Sequence, residues 1–220
     1  MPPLRHRFHT YEFGELDVHV RTLRDRNQFD AGDHDESIPG LSSSNWPLFG
    51  VVWDCSLVLA EIMNTFDTRD LRILEVGCGI GIASLVLSSG KADITATDQH
   101  PLAESFLDFN ADLNGFDRVC FVRADWSKNT SALGRFDLVI GSDLLYEQDN
   151  AALLGDFIES RAAPTSRVII VDPGRGQTAR FKARMATHGF ACNAIEPERS
   201  RNTDTRKIHV MRFSRSNAAA

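Results

Sequence analysis

Four places in the chain combine residue types that could do chemistry, and each follows a short apolar run. Ile73-Leu74-Glu75-Val76-Gly77-Cys78-Gly79-Ile80-Gly81-Ile82 sets an acid ahead of three glycines. Asp98 closes Thr95-Ala96-Thr97-Asp98, and Asp125 and Trp126 follow Ala124. Gly141-Ser142-Asp143-Leu144-Leu145-Tyr146 then carries a carboxylate with a phenol three residues on.

A Gly-rich turn between a strand and a helix lets the backbone approach a nucleotide-like ligand, although close strand-to-helix packing asks for the same residues. A dinucleotide fingerprint would place glycines at 77, 79 and 82. Here position 82 is Ile and the third glycine is Gly81, which weakens a pyrophosphate reading. Glu75 at the strand end would attract a cation rather than a phosphate. S-adenosylmethionine carries both an ammonium and a sulfonium group. Asp98 is placed to accept hydrogen bonds from both ribose hydroxyls of an adenosine, a feature shared with NAD sites; a surface carboxylate is the plain alternative. Asp125 could accept from an adenine amino group while Trp126 covers the ring, or the pair could be a cap beside a half-buried indole. One helical turn would align Asp143 with Tyr146, where they could hold an amine and take up charge as its proton leaves. An N-cap with a packed tyrosine would look the same.

These residues need a scaffold that brings strand ends together. Apolar runs at Leu71–Val76, Asp93–Thr97, Val119–Arg123, Phe136–Gly141 and Arg167–Val171 read as buried strands. Helical spacing over Val51–Phe66, Ile82–Ser89, Leu102–Leu113, Leu153–Arg161 and Gln177–His188 alternates with them. Phe190–Ile195 and Lys207–Phe213 add two late strands. Such alternation predicts an α/β fold with a mostly parallel sheet, helices on both faces and the ligand site at the strand carboxyl ends. The first fifty residues differ, with a strand-like stretch at Tyr11–Leu23 and a polar segment, Asp30–Asn45, read as a mobile loop. Asp33, His34, Asp35 and Glu36 are adjacent in that segment, where side chains rarely converge on one metal ion, so no metal site is assigned. The expected organisation is an N-terminal extension over 1–50 and one α/β domain over 51–216.

A chain of 220 residues with 42% hydrophobic content can bury one substantial core. Its net charge of -6 argues against general nucleic-acid binding. Cys55, Cys78, Cys120 and Cys192 are widely spaced, without CxxC pairing, and read as buried reduced thiols. With no signal peptide and no apolar run of about 18 residues, a cytoplasmic, non-membrane protein is expected.

Taken in order, Glu75-Val-Gly-Cys-Gly-Ile-Gly, Asp98, Ala124-Asp125-Trp126 and Phe136-Asp137-Leu-Val-Ile-Gly-Ser-Asp143 resemble class I S-adenosylmethionine-dependent methyltransferases. Val51-Val52-Trp53-Asp54-Cys55-Ser56-Leu57-Val58-Leu59-Ala60, together with Asp143-Leu-Leu-Tyr146, is more narrowly similar to the lysine-methyltransferase-like group called methyltransferase family 16. The resemblance covers about residues 46 to 172. It implies that 51–216 is a methyltransferase domain with a Rossmann-like, seven-stranded fold and an antiparallel C-terminal strand. It also implies that S-adenosylmethionine is bordered by Trp53, enclosed by Glu75, Gly77, Cys78, Gly79 and Gly81, and met by Asp98, Gln99, Asp125, Trp126 and Ser142. Asp143 and Tyr146 would face the methyl acceptor as the catalytic pair. The absence of an Asn/Asp-Pro-Pro-Tyr loop favours an aliphatic amine or a protein side chain. A small-molecule N-methyltransferase and a non-catalytic cofactor-binding module are the alternatives, and an NAD-dependent oxidoreductase ranks last. Arg175, in the Asp172-Pro173-Gly174-Arg175-Gly176 loop, could bind a carboxylate or simply belong to a turn. Trp46 and Phe49 are read as core rings that could help close the site.

Overall fold

The computed structural model describes residues 4–25, 46–128, 133–174, 176–198 and 208–216, with side chains of 194–198 left aside. The polar segment at 30–45 and Arg175 lie outside the described residues, and so does what was expected of them.

Strand β3 (Arg72–Val76) shows why the sheet forms where it does: after Arg72 every residue is buried. Ile73 packs into the core on one face, while Leu74 and Val76 pack into the core on the other. The same alternation runs through β6 (Phe136–Ser142), where Leu138 and Ile140 face one side and Val139 the other. A strand apolar on both faces is stable only between two helical layers. Helices α1 (Asp54–Thr65), α2 (Ile82–Ser89) and α3 (Ala103–Asn114) supply one layer. Helices α4 (Asn150–Arg161) and α5 (Thr178–Thr187) supply the second.

The remaining strands are β4 (Asp93–Asp98), β5 (Cys120–Arg123), β7 (Ala162–Asp172), β8 (Ala191–Glu198) and β9 (Ile208–Arg215). Among the described residues the main sheet has seven strands in the order β5-β4-β3-β6-β7-β9-β8. Strands β3 to β7 pair in parallel, and β9 runs antiparallel between β7 and β8. The expected Rossmann-like architecture with an antiparallel C-terminal strand is therefore the observed one. Strand order reverses between β3 and β6, so loops leaving those two strands diverge and open a crevice above the sheet.

Three local expectations are corrected. Tyr11–Leu23 is not one strand but parts of two, β1 (His6–Phe13) and β2 (Leu16–Leu23), joined through Gly14 and Glu15 in a tight hairpin. Cys55 and Cys78 are buried, but Cys120 and Cys192 are exposed. They lie on β5 and β8, the two edge strands of the main sheet among the described residues. The residues Asp143 to Tyr146 form an irregular segment rather than a helical turn, since α4 begins only at Asn150 and Asp143 has φ 58°.

The hairpin is fastened to α3 by two asparagines four residues apart. Asn110 Oδ1 accepts from the Arg21 amide at 2.8 Å and its Nδ2 donates to the Arg21 carbonyl at 3.3 Å. Asn114 treats His19 the same way, at 2.7 and 2.6 Å. Two side-chain amides at i and i+4 thus satisfy β2 backbone groups at i and i+2, as a neighbouring strand would. Phe13, Val18, Val20 and Leu23 add the hairpin to the core beneath.

Asn110 is fully buried, whereas the Asn114 pair is exposed to water. Asn110→Ala should cost about 1–3 kcal/mol by stranding the Arg21 amide and carbonyl, and Asn114→Ala less than about 1 kcal/mol. Urea unfolding of both variants checks the ranking, and equal losses would contradict it.

Candidate active site

The crevice at the β3–β6 switch is a cavity built from loops at the carboxyl ends of β3, β4, β5 and β6, and from the 3-10 helix Trp46–Gly50 ahead of α1. Its wall includes Trp53, Gly77, Cys78, Gly79, Gly81 and Asp98. Gln99, Asp125, Trp126, Ser142, Asp143 and Tyr146 line it as well. Positions predicted from five separate stretches of sequence are thus brought to one cavity.

Glu75 is the exception. It is 2% exposed and lies behind the wall, where Oε2 accepts from the Ser84 amide at 3.0 Å and forms a short hydrogen bond with Ser84 Oγ. Strand alternation explains this placement: Leu74 and Val76 face the α4–α5 layer, so Glu75 faces the layer that contains α2. Expected to enclose a ligand, Glu75 instead anchors the first turn of the helix that follows the glycines. Burial pushes its carboxyl up to about 7, against the pull of the Ser84 bonds and aided by the charge of Asp98.

The turn itself requires glycine at Gly79, which has φ 54°. A Cβ there would come to 3.0 Å from the Phe49 carbonyl oxygen. The Gly79 amide donates to Asp98 Oδ2 at 2.9 Å, and the His100 amide donates to Asp98 Oδ1 at 2.8 Å. Asp98 therefore ties the glycine turn to the β4 loop while its carboxylate stays at the cavity wall. Burial raises its pKa, with the backbone amides and Arg123 pulling the other way.

The neighbouring walls are fixed by ordinary local bonds. Trp53 donates from Nε1 to the Leu48 carbonyl at 3.1 Å, and its own carbonyl accepts from Ser56 and Leu57 at the start of α1. Asp125 Oδ1 accepts from the Ser127 amide at 2.9 Å and from Ser127 Oγ at 2.7 Å, and Oδ2 pairs with Lys128 at 3.1 Å. Partial burial opposes ionisation of Asp125, but those donors hold its pKa below the usual value. Trp126 packs against the α4–α5 core. The cap-beside-indole arrangement and a place on the cavity wall thus coexist.

The structure adds groups that sequence reasoning missed. His100 is 1% exposed and stacks on Phe49 with ring centroids 3.7 Å apart; Trp46 meets it in a T-shaped contact with centroids 4.5 Å apart. Burial, with Arg123 nearby, depresses its pKa to about 3, so the ring is neutral. Phe49 and His100 line the cavity, whereas Trp46 backs them from the core. Glu147, Asn150 and Leu153 line the side near Tyr146. The spacing of Asn150 and Leu153 on one helix face was the available signal for that pair.

At the end of β6 the Asp143 amide donates to the Val171 carbonyl at 2.8 Å, which holds a positive-φ aspartate there. Tyr146 is 40% exposed at the mouth. Burial of its hydroxyl and the charges of Glu147 and Asp98 push its pKa up to about 12, so it is a phenol at neutral pH.

Because the Glu75 pKa is raised, the folded chain holds a proton that the unfolded chain releases. The corresponding stability is complete below about pH 4 and is lost as pH rises through 7, by at most about 3 kcal/mol. Glu75→Gln keeps an acceptor for Ser84 and should flatten this slope. Urea unfolding at pH 5 and pH 8, run on both proteins, checks it; an unchanged slope would contradict the assignment.

Comparison with known proteins accords with this geometry. The family model described as lysine methyltransferase (methyltransferase family 16) matches residues 44–185. Protein N-lysine methyltransferase METTL21A of Danio rerio is 29% identical over 139 residues, 58% of this chain and 63% of that protein. The electron transfer flavoprotein beta subunit lysine methyltransferase of Rattus norvegicus is 29% identical over 137 residues, 60% of this chain and 52% of its own. The matched regions thus span between half and two thirds of these relatives. Among solved structures, the 16S rRNA N2 G1207 methyltransferase of T. Thermophilus, in complex with AdoMet and guanosine, has a TM-score of 0.66 at 16% identity. That likeness covers 97% of this chain and 51% of the other. Magnesium protoporphyrin IX methyltransferase of Synechocystis, with bound SAM, has a TM-score of 0.58 at 18% identity, covering 74% and 78%. The two structural likenesses carry the fold, and the sequence match over more than half of the chain places this protein in the S-adenosylmethionine-dependent lysine methyltransferase family.

Proposed function

We propose that this chain transfers a methyl group from S-adenosylmethionine to the ε-amine of a lysine in a protein. The observation that carries this reading is the charge of the cavity. Asp98, Asp125, Asp143 and Glu147 line it, and among the described residues no Lys or Arg does. Four carboxylates suit a sulfonium, an ammonium and a cationic amine, and they oppose the pyrophosphate of NAD.

The residues present fit the cofactor. Gly79 leaves backbone where a Cβ would meet the Phe49 carbonyl, Asp98 presents a carboxylate at the wall, and Trp126 offers a flat ring. In this reading Trp53, Gly77, Cys78, Gly79, Gly81, Asp98, Gln99, Asp125, Trp126 and Ser142 hold it. Glu75 acts on them through Ser84 and α2. The bound cofactor supplies an electrophilic methyl group.

The chain's own residues must then align an amine and receive its proton. A lysine amine with pKa near 10.4 costs about 4.6 kcal/mol to neutralise at pH 7. Tyr146, a phenol up to about pH 12, is no base at neutral pH; its oxygen can accept one N–H and turn the nitrogen lone pair toward the cofactor. Asp143 is left to attract the ammonium and take or relay the proton. Leu153 and Trp53 provide apolar wall for an aliphatic stem. The names of METTL21A and of the electron transfer flavoprotein enzyme, both lysine methyltransferases, support a protein acceptor.

Calorimetry should detect binding of S-adenosylmethionine and its demethylated product but not NAD, with Asp98→Ala weakening both by at least about tenfold. With labelled methyl donor and cell lysate, label should enter protein, and confinement to the small-molecule fraction would overturn the acceptor. Asn tolerates positive φ, so Asp143→Asn keeps the local backbone. That variant should lower incorporation on the order of 10- to 100-fold while leaving cofactor affinity within about twofold. Equal loss of both would sink the assignment.

A further inference from the structure

Four large apolar side chains are exposed among the described residues, and one of them, Tyr146, stands at the cavity mouth. The other three, Phe8 on β1 and Phe109 and Leu113 on α3, lie together. The Phe8 and Phe109 rings are 6.4 Å apart, and Leu113 follows Phe109 by one helical turn. Phe8 is 61% exposed. A lone exposed ring is ordinary, but three such side chains in one place mark an interaction surface.

Arg21 gives this surface its charge. It stands opposite Phe8 in the hairpin register, and its guanidinium lies 3.7 Å from the centre of the Phe109 ring and 4.6 Å from that of Phe106. Its backbone is bonded to Asn110, but its guanidinium makes no hydrogen bond or ion pair with another described residue, and Nε is buried without an acceptor. The acids next to Phe109 and Leu113 in sequence are already engaged, since Asp108 and Asp112 pair with Arg118 at 3.2 and 2.8 Å. A planar cation held against two rings, with its donors unused, is a preorganised partner for a carboxylate.

We propose that this face docks the methyl-accepting protein, taking a segment in which a carboxylate lies beside apolar side chains. The proposal deepens the lysine-methyltransfer reading and rests on it. A chain of net charge -6 is a poor partner for a nucleic acid. A second copy, related by a two-fold axis through the face, would set Arg21 against Arg21. The place suits a substrate, because Phe106 meets Phe49 edge-on at 5.2 Å and Phe49 lines the cavity. Two ring contacts thus separate Arg21 from the cavity wall. The acid of a docked protein is drawn to Arg21, and its lysine to the carboxylates of the cavity.

Phe8→Ser and Arg21→Gln test this, and neither residue belongs to the cavity, so both variants should bind S-adenosylmethionine as the unaltered protein does. With labelled methyl donor and a dilution series of lysate protein, each should raise the lysate concentration for half-maximal incorporation on the order of tenfold, with the plateau rate within about twofold. A fall in plateau rate alone, or no change in either quantity, overturns the proposal. So does a dimer of the unaltered protein that Phe8→Ser dissociates in sedimentation, or a difference between variant and parent that vanishes when the lysate is treated with ribonuclease.

If the unaltered protein labels nothing, the lysine-methyltransfer reading fails and the substrate role falls with it. The surface itself is then decided by fluorescence polarisation with a labelled peptide of alternating Glu and Leu. Binding that Arg21→Gln weakens about tenfold, and that a Lys and Leu peptide does not show, upholds a docking surface for acidic, apolar segments. Absence of binding, or equal binding by the variant, overturns it.

Discussion

Two carboxylates hold the turn on which the cavity depends. Glu75 secures the start of α2 through Ser84, and Asp98 ties Gly79 to the loop after β4. Neither acid is in a comfortable place, since burial raises the pKa of both and the charge of Asp98 adds to the burden on Glu75. The backbone donors they receive offset part of that cost. The family's cofactor carries positive charge, so a wall that is electrostatically costly when bare becomes complementary when filled. Placing anions under a glycine turn also separates this site from a phosphate-binding one, where the same turn would want donors alone.

From that turn the rest of the molecule can be read outward. Two helical layers bury β3 and β6 and let the strand order reverse between them, which makes the crevice. The 3-10 helix Trp46–Gly50 closes one side, with Phe49 stacked on a neutral His100 and its carbonyl against Gly79. The hairpin covers the same layer through Asn110 and Asn114. The opposite side of the cavity is less regular, and there the Asn150 side chain bonds the Leu144 carbonyl, as secondary structure does elsewhere.

Much of this architecture was legible in the sequence because strands buried on both faces are continuous apolar runs, as at Ile73-Leu74 and Leu138-Val139-Ile140. The cavity-lining positions Asp98, Asp125 and Asp143 were legible because an acid has little other reason to end such a run. What escaped depends on direction rather than residue type. Strand alternation turned Glu75 away from the cavity, and a positive φ at Asp143 replaced the helical turn that its spacing from Tyr146 suggested. Cys120 and Cys192 looked like core thiols until the sheet order placed their strands at its edges. His100 and Asn150 belong to no motif themselves, and their side-chain partners, the Phe49 ring and the Leu144 carbonyl, appear only in the folded chain.

The central claim is that the cavity at the β3–β6 switch holds S-adenosylmethionine and opens on one side to a methyl acceptor. A crystal structure of the protein with the demethylated cofactor tests it most directly. The account predicts ligand density in contact with Gly79, Asp98 and Asp125, with Asp143 and Tyr146 still reachable from solvent. Density elsewhere on the molecule, or a ligand in this cavity that seals Asp143 and Tyr146 from any acceptor, would contradict it.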